Sequence, residues 1–537
     1  MKTNIQLLDC TLRDGAYITN GDFGVPAIVG LIKKLSEAKI DIIECGWLKN
    51  SPHTEGSSYY HVPSDLERYL IRKDLDKTYV VMIDWDRYDL SQLPQYDGKS
   101  IDAIRVVFPH GKHKEGIKVG EEIKKKGYKV FLQAANTMAY SNEDLVDLAK
   151  CVNKLMPVSL SVVDTFGAMY PNDLNRIISV LDAELENDIA LGFHSHNNMQ
   201  LSFALTMTFV ESLVGKRNVI VDSSLCGMGR GAGNSTTELV VSYLNKMHHK
   251  DYDMNDIMDA IDLYMVTFQQ KYQWGYSTPY FIAGLYQCHV NNIAYLQKNH
   301  RTNSRDMRSI IDSLSLEDRR KYDYDLLESK YVENQDRNVD DEKTLDELRQ
   351  AFSNRVVLLI GPGRTTKTES SRVNEYIEKK NPVIIFVNAL NPLYEGDYLF
   401  LINASRYEYA KDIYRDQFNR TTKILLSNIK TEGNENELIV NFNSVIKRGW
   451  EHFDNAIITC LRLMSKLSVE HVGVAGFDGF KEKYNESYAD SALPTLDPTA
   501  IGEKLNEEIQ DIFDDFCKTT RGKMQIDFVT TCMFDRS

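Results

Sequence analysis

Between residue 5 and about residue 247 the chain alternates short β-branched runs with longer stretches of helical period, and it does so eight times. The runs are 5–9, 41–46, 79–83, 103–108, 129–133, 159–164, 190–194 and 219–223. Such alternation builds parallel βα units. The amphipathic stretches 25–39, 142–154 and 172–185 are the right length to cover them. Eight units close naturally into a (β/α)8 barrel, with an open doubly wound sheet as the alternative. Polar and charged residues crowd just after several different runs, where a barrel gathers its strand ends around one mouth, and this favours closure.

The barrel is expected over residues 1–250. Residues 251–300 lack strand signals and form an appended helical segment. Residues 301–350 are dense in both charges, as in Asp318-Arg319-Arg320-Lys321 and Asp340-Asp341-Glu342-Lys343, which suits a charged helical linker. A second domain is expected over 351–537. There Val356 to Ile360 leads into Gly361-Pro362-Gly363-Arg364, a helical stretch and then Val383 to Val387. The expected fold class is therefore α/β: a (β/α)8 TIM barrel with appended helices, followed by a smaller Rossmann-like α/β domain.

With 63 Lys and Arg against 77 Asp and Glu, the net charge of -14 offers no field to gather phosphate backbones or anionic lipid. Neither a nucleic-acid nor a membrane partner is expected. The apolar runs 356–360 and 383–387 fall far short of the roughly 18 residues of a membrane span. Asp9, Arg13 and Asp14 precede any long apolar stretch, so no secretory signal is read and a cytoplasmic location is expected. Eight dispersed cysteines without a CxxC pair suit reduced packing thiols better than a disulfide framework or zinc ribbon.

The chemistry gathers at the strand ends. His194-Ser195-His196-Asn197 closes the seventh run, and residues i and i+2 of a strand point to one side, so both imidazoles can meet one metal. A structural histidine pair is the alternative. After the first run, Asp9-Cys10-Thr11-Leu12-Arg13-Asp14-Gly15 sets a carboxylate and a guanidinium at the same mouth. Asp14 can complete a two-histidine, one-carboxylate site with open positions for water and a chelating substrate. Its N and O donors suit Mn²⁺, Co²⁺ or Mg²⁺ better than a closed structural zinc. Iron oxygenases on other folds use the same triad, so the triad alone does not fix the reaction. Arg13 either donates to an oxygen that gains charge, as in an enolate, or forms a solvated ion pair with Asp14. The glycines of 227–233 let backbone approach a ligand closely or simply make a tight turn. A phosphorylated or CoA-linked substrate would suit that position after the last strand.

Taken in order, Thr11-Leu12-Arg13-Asp14-Gly15, Glu44 at the end of the second run, His194-Ser195-His196-Asn197 and Gly227-Met228-Gly229-Arg230-Gly231-Ala232-Gly233-Asn234 resemble the DRE-TIM metallolyase superfamily, over roughly residues 1–300. That superfamily includes 4-hydroxy-2-oxovalerate aldolase, hydroxymethylglutaryl-CoA lyase and the isopropylmalate and homocitrate synthases, which form or consume a carbon–carbon bond through an enolate. The resemblance implies that Asp14, His194 and His196 bind a divalent metal, which Asn234 can approach. It further implies that Arg13 stabilises the enolate, Glu44 holds the charged cluster, and Thr165 with Gly229, Gly231 and Gly233 meets the substrate. Mn²⁺ is the preferred ion, with Co²⁺, Mg²⁺ or Zn²⁺ as alternatives. Asp164 is a second-layer alternative that could orient a histidine.

The chain departs from the aldolase branch at Tyr17, where the aldolases carry a histidine. A phenol titrating near about pH 10 serves more naturally as a hydrogen-bond donor or general acid than as a base, with packing as the other reading. Tyr286, in Ala283-Gly284-Leu285-Tyr286-Gln287, is similar to the segment that supplies an active-site tyrosine, and His289 is the nearby alternative. Cys226 precedes the glycine loop, whereas the catalytic cysteine of hydroxymethylglutaryl-CoA lyases lies within it, so Cys226 is read as packing.

In the second domain, Gly361, Gly363, Arg364 and Lys367 follow a strand and precede a helix, which makes them candidate nucleotide or phosphate contacts. Thr366 stands where a P-loop needs glycine, and the spacing does not fit a dinucleotide fingerprint. A docking domain without a ligand is the alternative. The resulting expectation is a metal-dependent carbon–carbon lyase of the 4-hydroxy-2-oxoacid aldolase type, acting on a small 2-oxo acid and an aldehyde through a pyruvate enolate. A Claisen-type acyl-CoA-dependent synthase and a non-catalytic scaffold are the alternatives. A homodimer and an aldehyde dehydrogenase partner are the assemblies considered.

Overall fold

The computed structural model describes residues 4–71, 73–300, 302–335, 339–431, 433, 436–450, 455–481, 484–494 and 502–535. The chain forms two compact units, Met1–Ile293 with Ser315–Tyr322, and Ala294–Leu314 with Asp323–Ser537. In the first unit the eight parallel strands of the barrel follow in order: β1 (Ile5–Asp9), β2 (Ile42–Leu48), β3 (Thr78–Asp84), β4 (Ala103–Phe108), β5 (Lys129–Ala134), β6 (Ser159–Asp164), β7 (Ala190–Ser195) and β8 (Val219–Ser223), while a two-residue strand, Tyr59–Tyr60, pairs alongside the end of β2. Each pairs with its sequence neighbour. β1 pairs with both β8 (Ile5 opposite Val219) and β2 (Leu8 opposite Ile42), so the sheet closes into the expected barrel.

Burial of both strand faces explains why the runs are nearly continuous in apolar residues. Leu7, Ile43, Val81 and Leu132 pack outward under the helices. Leu8, Ile42, Val80, Ala103, Phe131, Ala190 and Ile220 form a separate layer inside the barrel. Two residues further along, several inward positions turn polar, at Glu44, Arg105, Gln133 and Asp222, each 2% exposed or less. The lumen therefore changes from apolar to charged toward the C-terminal ends of the strands, the end at which such barrels carry their chemistry.

Local sequence sets the covering helices. Ser141 Oγ accepts the N–H of Asp144 while the Asp144 carboxylate accepts the N–H of Ser141, a reciprocal cap that starts helix Asn142–Leu155. Leu145, Leu148, Ala149, Val152 and Leu155 then recur at helical spacing on its buried side.

Asp9, at the end of β1, accepts the Thr11 N–H at 2.9 Å and the Thr237 hydroxyl at 2.7 Å. Burial nevertheless pushes its carboxyl up to about 6. The unfolded chain, whose aspartates titrate near about 3.9, binds this proton less tightly than the folded one, so this group's contribution to stability falls as pH rises from about 4 through 6. Asp9→Asn should flatten the melting temperature against pH over that window. Circular dichroism melts with the same slope in variant and wild type would refute the assignment.

In the second unit, β9 (Val357–Ile360), β10 (Val383–Val387), β11 (Tyr398–Leu401), β12 (Thr422–Leu426), β13 (Glu437–Val440), β14 (His471–Ala475) and β15 (Gln525–Phe528) form a parallel sheet ordered β13-β12-β11-β10-β9-β14-β15. The chain builds outward from β9 and then crosses back to its other side at β14, which is a doubly wound arrangement. Val357 and Leu359 face one layer of helices with Leu461 and Phe513, and Leu358 and Ile360 face another with Val373 and Tyr407. The charged stretch after residue 300 is helical over Ser304–Ser313, Leu316–Arg320, Tyr324–Gln335 and Glu342–Phe352. Met307, Ile310, Leu345 and Leu348 are buried, because in Ser304–Ser313 and Glu342–Phe352 the charges occupy only one side of the helix. Among the described residues, no helix is long and apolar enough to cross a membrane.

Candidate active site

Barrel closure places β7, β8, β1 and β2 side by side, so segments far apart in sequence share one mouth. β7 carries His194 and leads directly to His196, while β1 leads into the short helix Thr11–Asp14 that holds Arg13 and Asp14. One donor atom from each of Asp14, His194 and His196 lies within 4.8 Å of the others. The two imidazole rings stand at 89° with centroids 5.0 Å apart, and His196 Nε2 is 3.6 Å from Asp14 Oδ2. Both rings are held from behind through Nδ1. His194 Nδ1 bonds Asp222 Oδ2 and His196 Nδ1 bonds the Asp164 carbonyl, each at 3.0 Å, which leaves both Nε2 atoms available.

Burial raises the Asp14 carboxyl, but the Arg13 guanidinium and His196 outweigh it and hold Asp14 well below the usual carboxylate range. Burial also lowers His194, more than Asp222 raises it. An ionised carboxylate and a neutral imidazole are the protonation states that bind a divalent cation.

Behind the donors runs a chain of buried charges. Arg13 donates from Nη1 to Asp14 Oδ1 at 2.6 Å and from Nε to Glu44 Oε2 at 2.7 Å. Glu44 Oε2 also accepts from Arg105 Nη1 at 2.8 Å, and Arg105 Nη2 bonds Asp222 Oδ2, the oxygen that holds His194. Sequence reasoning missed Arg105 and Asp222. The signal was a single charge inside each of two apolar runs, Ala103–Phe108 and Val219–Ser223.

Five buried atoms of this cluster lack a partner among the described residues: Glu44 Oε1, Arg105 Nε and Asp222 Oδ1 along the chain of charges, and Arg13 Nη2 and Asn234 Oδ1 beside Asp14. Asn234 Nδ2 donates to Asp14 Oδ2 at 2.5 Å, so its amide oxygen belongs to the same cluster. An unpartnered oxygen beside a two-histidine, one-carboxylate set fits a cation, and an unpartnered guanidinium N–H fits an anionic oxygen next to it.

The glycine loop folds directly over these groups. A Cβ on Gly229 would stand 2.5 Å from Asp14 Oδ2 and 2.4 Å from Asn234 Nδ2. Gly231 and Gly233 have φ of +66° and +83°, and a Cβ on Gly233 would meet the Gly227 carbonyl at 1.9 Å. Asn198, also missed in the sequence, accepts the Ala232 N–H at 2.9 Å and fixes the loop. Thr165, after β6, accepts the Asn136 N–H at 2.6 Å. The Asp164 carboxylate is occupied by the N–H groups of Ala168 and Met169, so its backbone carbonyl orients His196 instead.

Tyr17 is 44% exposed, with its ring 3.9 Å beneath the Arg230 guanidinium and edge-on to Trp47. Desolvation of its phenol, opposed by Arg230 and Arg13, pushes it up to about 12, so it keeps its proton. Tyr286 ends helix Thr278–Leu285 and lies 5.0 Å from the Arg319 guanidinium. His289 interacts with Arg230 and His196; burial, then those two groups, push it down to about 3, and it is neutral. Burial pushes the Cys226 thiol up to about 12, which makes it unreactive.

In the second unit the expected phosphate loop meets a protein carboxylate. Asp478, after β14, accepts the Thr365 N–H at 2.7 Å and bonds its hydroxyl, and a Cβ on Gly363 would lie 2.5 Å from Asp478 Oδ1. Gly361, Gly363, Arg364 and Lys367 thus surround a turn whose leading N–H already has an anionic acceptor.

The HMGL-like family model matches residues 112–264. The 4-hydroxy-2-oxovalerate aldolase of Carboxydothermus hydrogenoformans is 28% identical over 276 residues, which cover 49% of this chain and 77% of that protein. The oxaloacetate decarboxylase of Mycobacterium tuberculosis is 26% identical over 262 residues, 47% of this chain and 74% of that protein. Among solved structures, the HMG-CoA lyase of Brucella melitensis is similar with 17% identity and a TM-score of 0.38, covering 50% of this chain and 99% of that one. The matched segment contains His194 and His196, and the aldolase similarity extends over about half the chain, so this barrel is similar to the HMGL-like members of the DRE-TIM metallolyase superfamily.

Proposed function

We propose that the barrel is a divalent-metal-dependent carbon–carbon lyase of the 4-hydroxy-2-oxoacid aldolase type, working through a pyruvate enolate. The observation that carries this reading is the convergence of Asp14, His194 and His196 beside Arg13. The relatives named 4-hydroxy-2-oxovalerate aldolase support the same chemistry. Asp14, His194 and His196 would hold the metal, with Asn234 Oδ1 as a further oxygen donor; the open N and O set suits Mn²⁺, Co²⁺ or Mg²⁺ better than a closed structural zinc, and Mn²⁺ is the ion proposed, with Zn²⁺ as a further alternative. When bound, the ion supplies Lewis acidity at the 2-oxo acid's carbonyl and carboxylate.

The chain's own residues do the rest. Arg13 offers Nη2–H to the carbonyl oxygen that gains charge as the carbon–carbon bond breaks, and its other nitrogens are already fixed by Asp14 and Glu44, so little reorganisation is needed. Arg105 holds Glu44 in turn. Thr165 and the backbone of Gly229 to Gly233 bound the substrate, and the loop's close approach to Asp14 excludes bulk water from that side. Tyr17, which retains its proton, acts as hydrogen-bond donor or general acid to the aldehyde oxygen in the synthetic direction.

Deuterium uptake into the methyl group of pyruvate in heavy water, read by mass spectrometry, tests this without knowledge of the aldehyde. The expected result is exchange that requires metal, stops with chelator and is absent in His194→Ala. Lack of exchange in the metal-loaded protein overturns the reading, and thiol release from acetyl-CoA with a 2-oxo acid would put the Claisen-type synthase in its place.

A further inference from the structure

The barrel's mouth carries a half-buried guanidinium without a counter-charge. Arg230 directly follows Gly229, whose backbone packs on Asp14, so it stands at the edge of the candidate metal-binding set. Its side-chain contacts are the Tyr17 ring at 3.9 Å and His289 Nε2 at 3.3 Å, and no carboxylate among the described residues pairs with it. A guanidinium cannot shed its charge, and an aromatic face offsets only part of it.

His289 shows what is missing. Its Nδ1 accepts the N–H of Asn291 at 3.1 Å, and a neutral imidazole carries one proton, so that proton is on Nε2. Arg230 Nη1 therefore faces another N–H, and the two donors point at each other with no acceptor between them.

We propose that Arg230 and His289 form an anion subsite at the mouth, and that the acceptor aldehyde carries an ionised oxygen group, phosphate or carboxylate, away from its reacting carbonyl. This rests on the aldolase reading above. An anionic oxygen accepts from Arg230 Nη1 and His289 Nε2 together, which resolves the donor conflict and supplies the absent charge.

The test uses the metal-loaded full chain, pyruvate and matched aldehydes: propanal against succinic semialdehyde, and glyceraldehyde against glyceraldehyde 3-phosphate. The charged member of at least one pair should have a kcat/KM higher by roughly 10- to 100-fold, carried by KM, and the pair that responds identifies the anion. Arg230→Met should bring that ratio to about 1, with Arg230→Lys retaining part of it. Equal values for charged and neutral aldehydes in the wild type overturn the subsite, while pyruvate exchange, which needs no aldehyde, leaves the aldolase reading standing. If exchange is absent, the aldolase reading falls and calorimetric titration of glycerol 3-phosphate and succinate decides the subsite. Binding heat abolished in Arg230→Met supports it, and identical titrations of wild type and variant overturn it.

Discussion

Asp14→Asn should leave a folded protein that retains no metal after dialysis and exchanges no deuterium into pyruvate. The two Asp14 oxygens are not interchangeable with an amide: Oδ1 accepts from Arg13 and Oδ2 from Asn234, so an amide NH2 would face a donor on one side. The substitution also removes the anionic member of the donor set. The loss of metal affinity should exceed the roughly 10- to 100-fold typical of changes behind a metal ligand. Metal content by plasma mass spectrometry, alongside the exchange assay, checks both parts. Stoichiometric metal in the variant would show that the binding set lies elsewhere.

Arg105→Met should be the most costly single change inside the barrel. Arg105 is 1% exposed and is bonded to Glu44 and Asp222, so its removal leaves the buried Asp222 carboxylate without a cationic partner and Glu44 with Arg13 alone. Breaking a buried charge pair from one side costs about 3–5 kcal/mol. Urea unfolding followed by tryptophan fluorescence should register it, since three of the four tryptophans, Trp47, Trp85 and Trp274, lie in the barrel unit. Lysine at this position should not rescue, because a single ammonium lacks the fork that reaches both carboxylates. A loss under about 1 kcal/mol, within the range of an ordinary surface pair, would mean that the chain of charges is not a structural brace.

Much of the barrel could be read from the chain because its signals are local. A run such as Val219–Ser223 is recognisable within a few residues, as are His194 with His196 and Arg13 with Asp14. The brace behind the donors could not be read this way. Arg105 meets Glu44 across 61 positions and Asp222 across 117, and only the closed order of strands turns these inside the same lumen. For the same reason Asp478 was invisible at the loop after β9, since it reaches Thr365 across 113 positions through a strand that crosses back. His289 lies in the appended helical segment, and nothing in its neighbours signals contact with Arg230. In 301–350 the density of charge masked the apolar sides of helices that bury Met307 and Leu345.

The path Asp14–Arg13–Glu44–Arg105–Asp222–His194 crosses the inside of the barrel like spokes joining staves, and it has a consequence for how such a protein can change. A substitution along it disturbs the buried charges that brace the barrel, the donor set, or both, so the hub has little room for gradual variation. Tyr17, Arg230 and His289 sit on connecting segments outside that path. On the proposed aldolase function, changes at the rim can therefore revise which aldehyde is admitted while the reaction at the hub stays fixed.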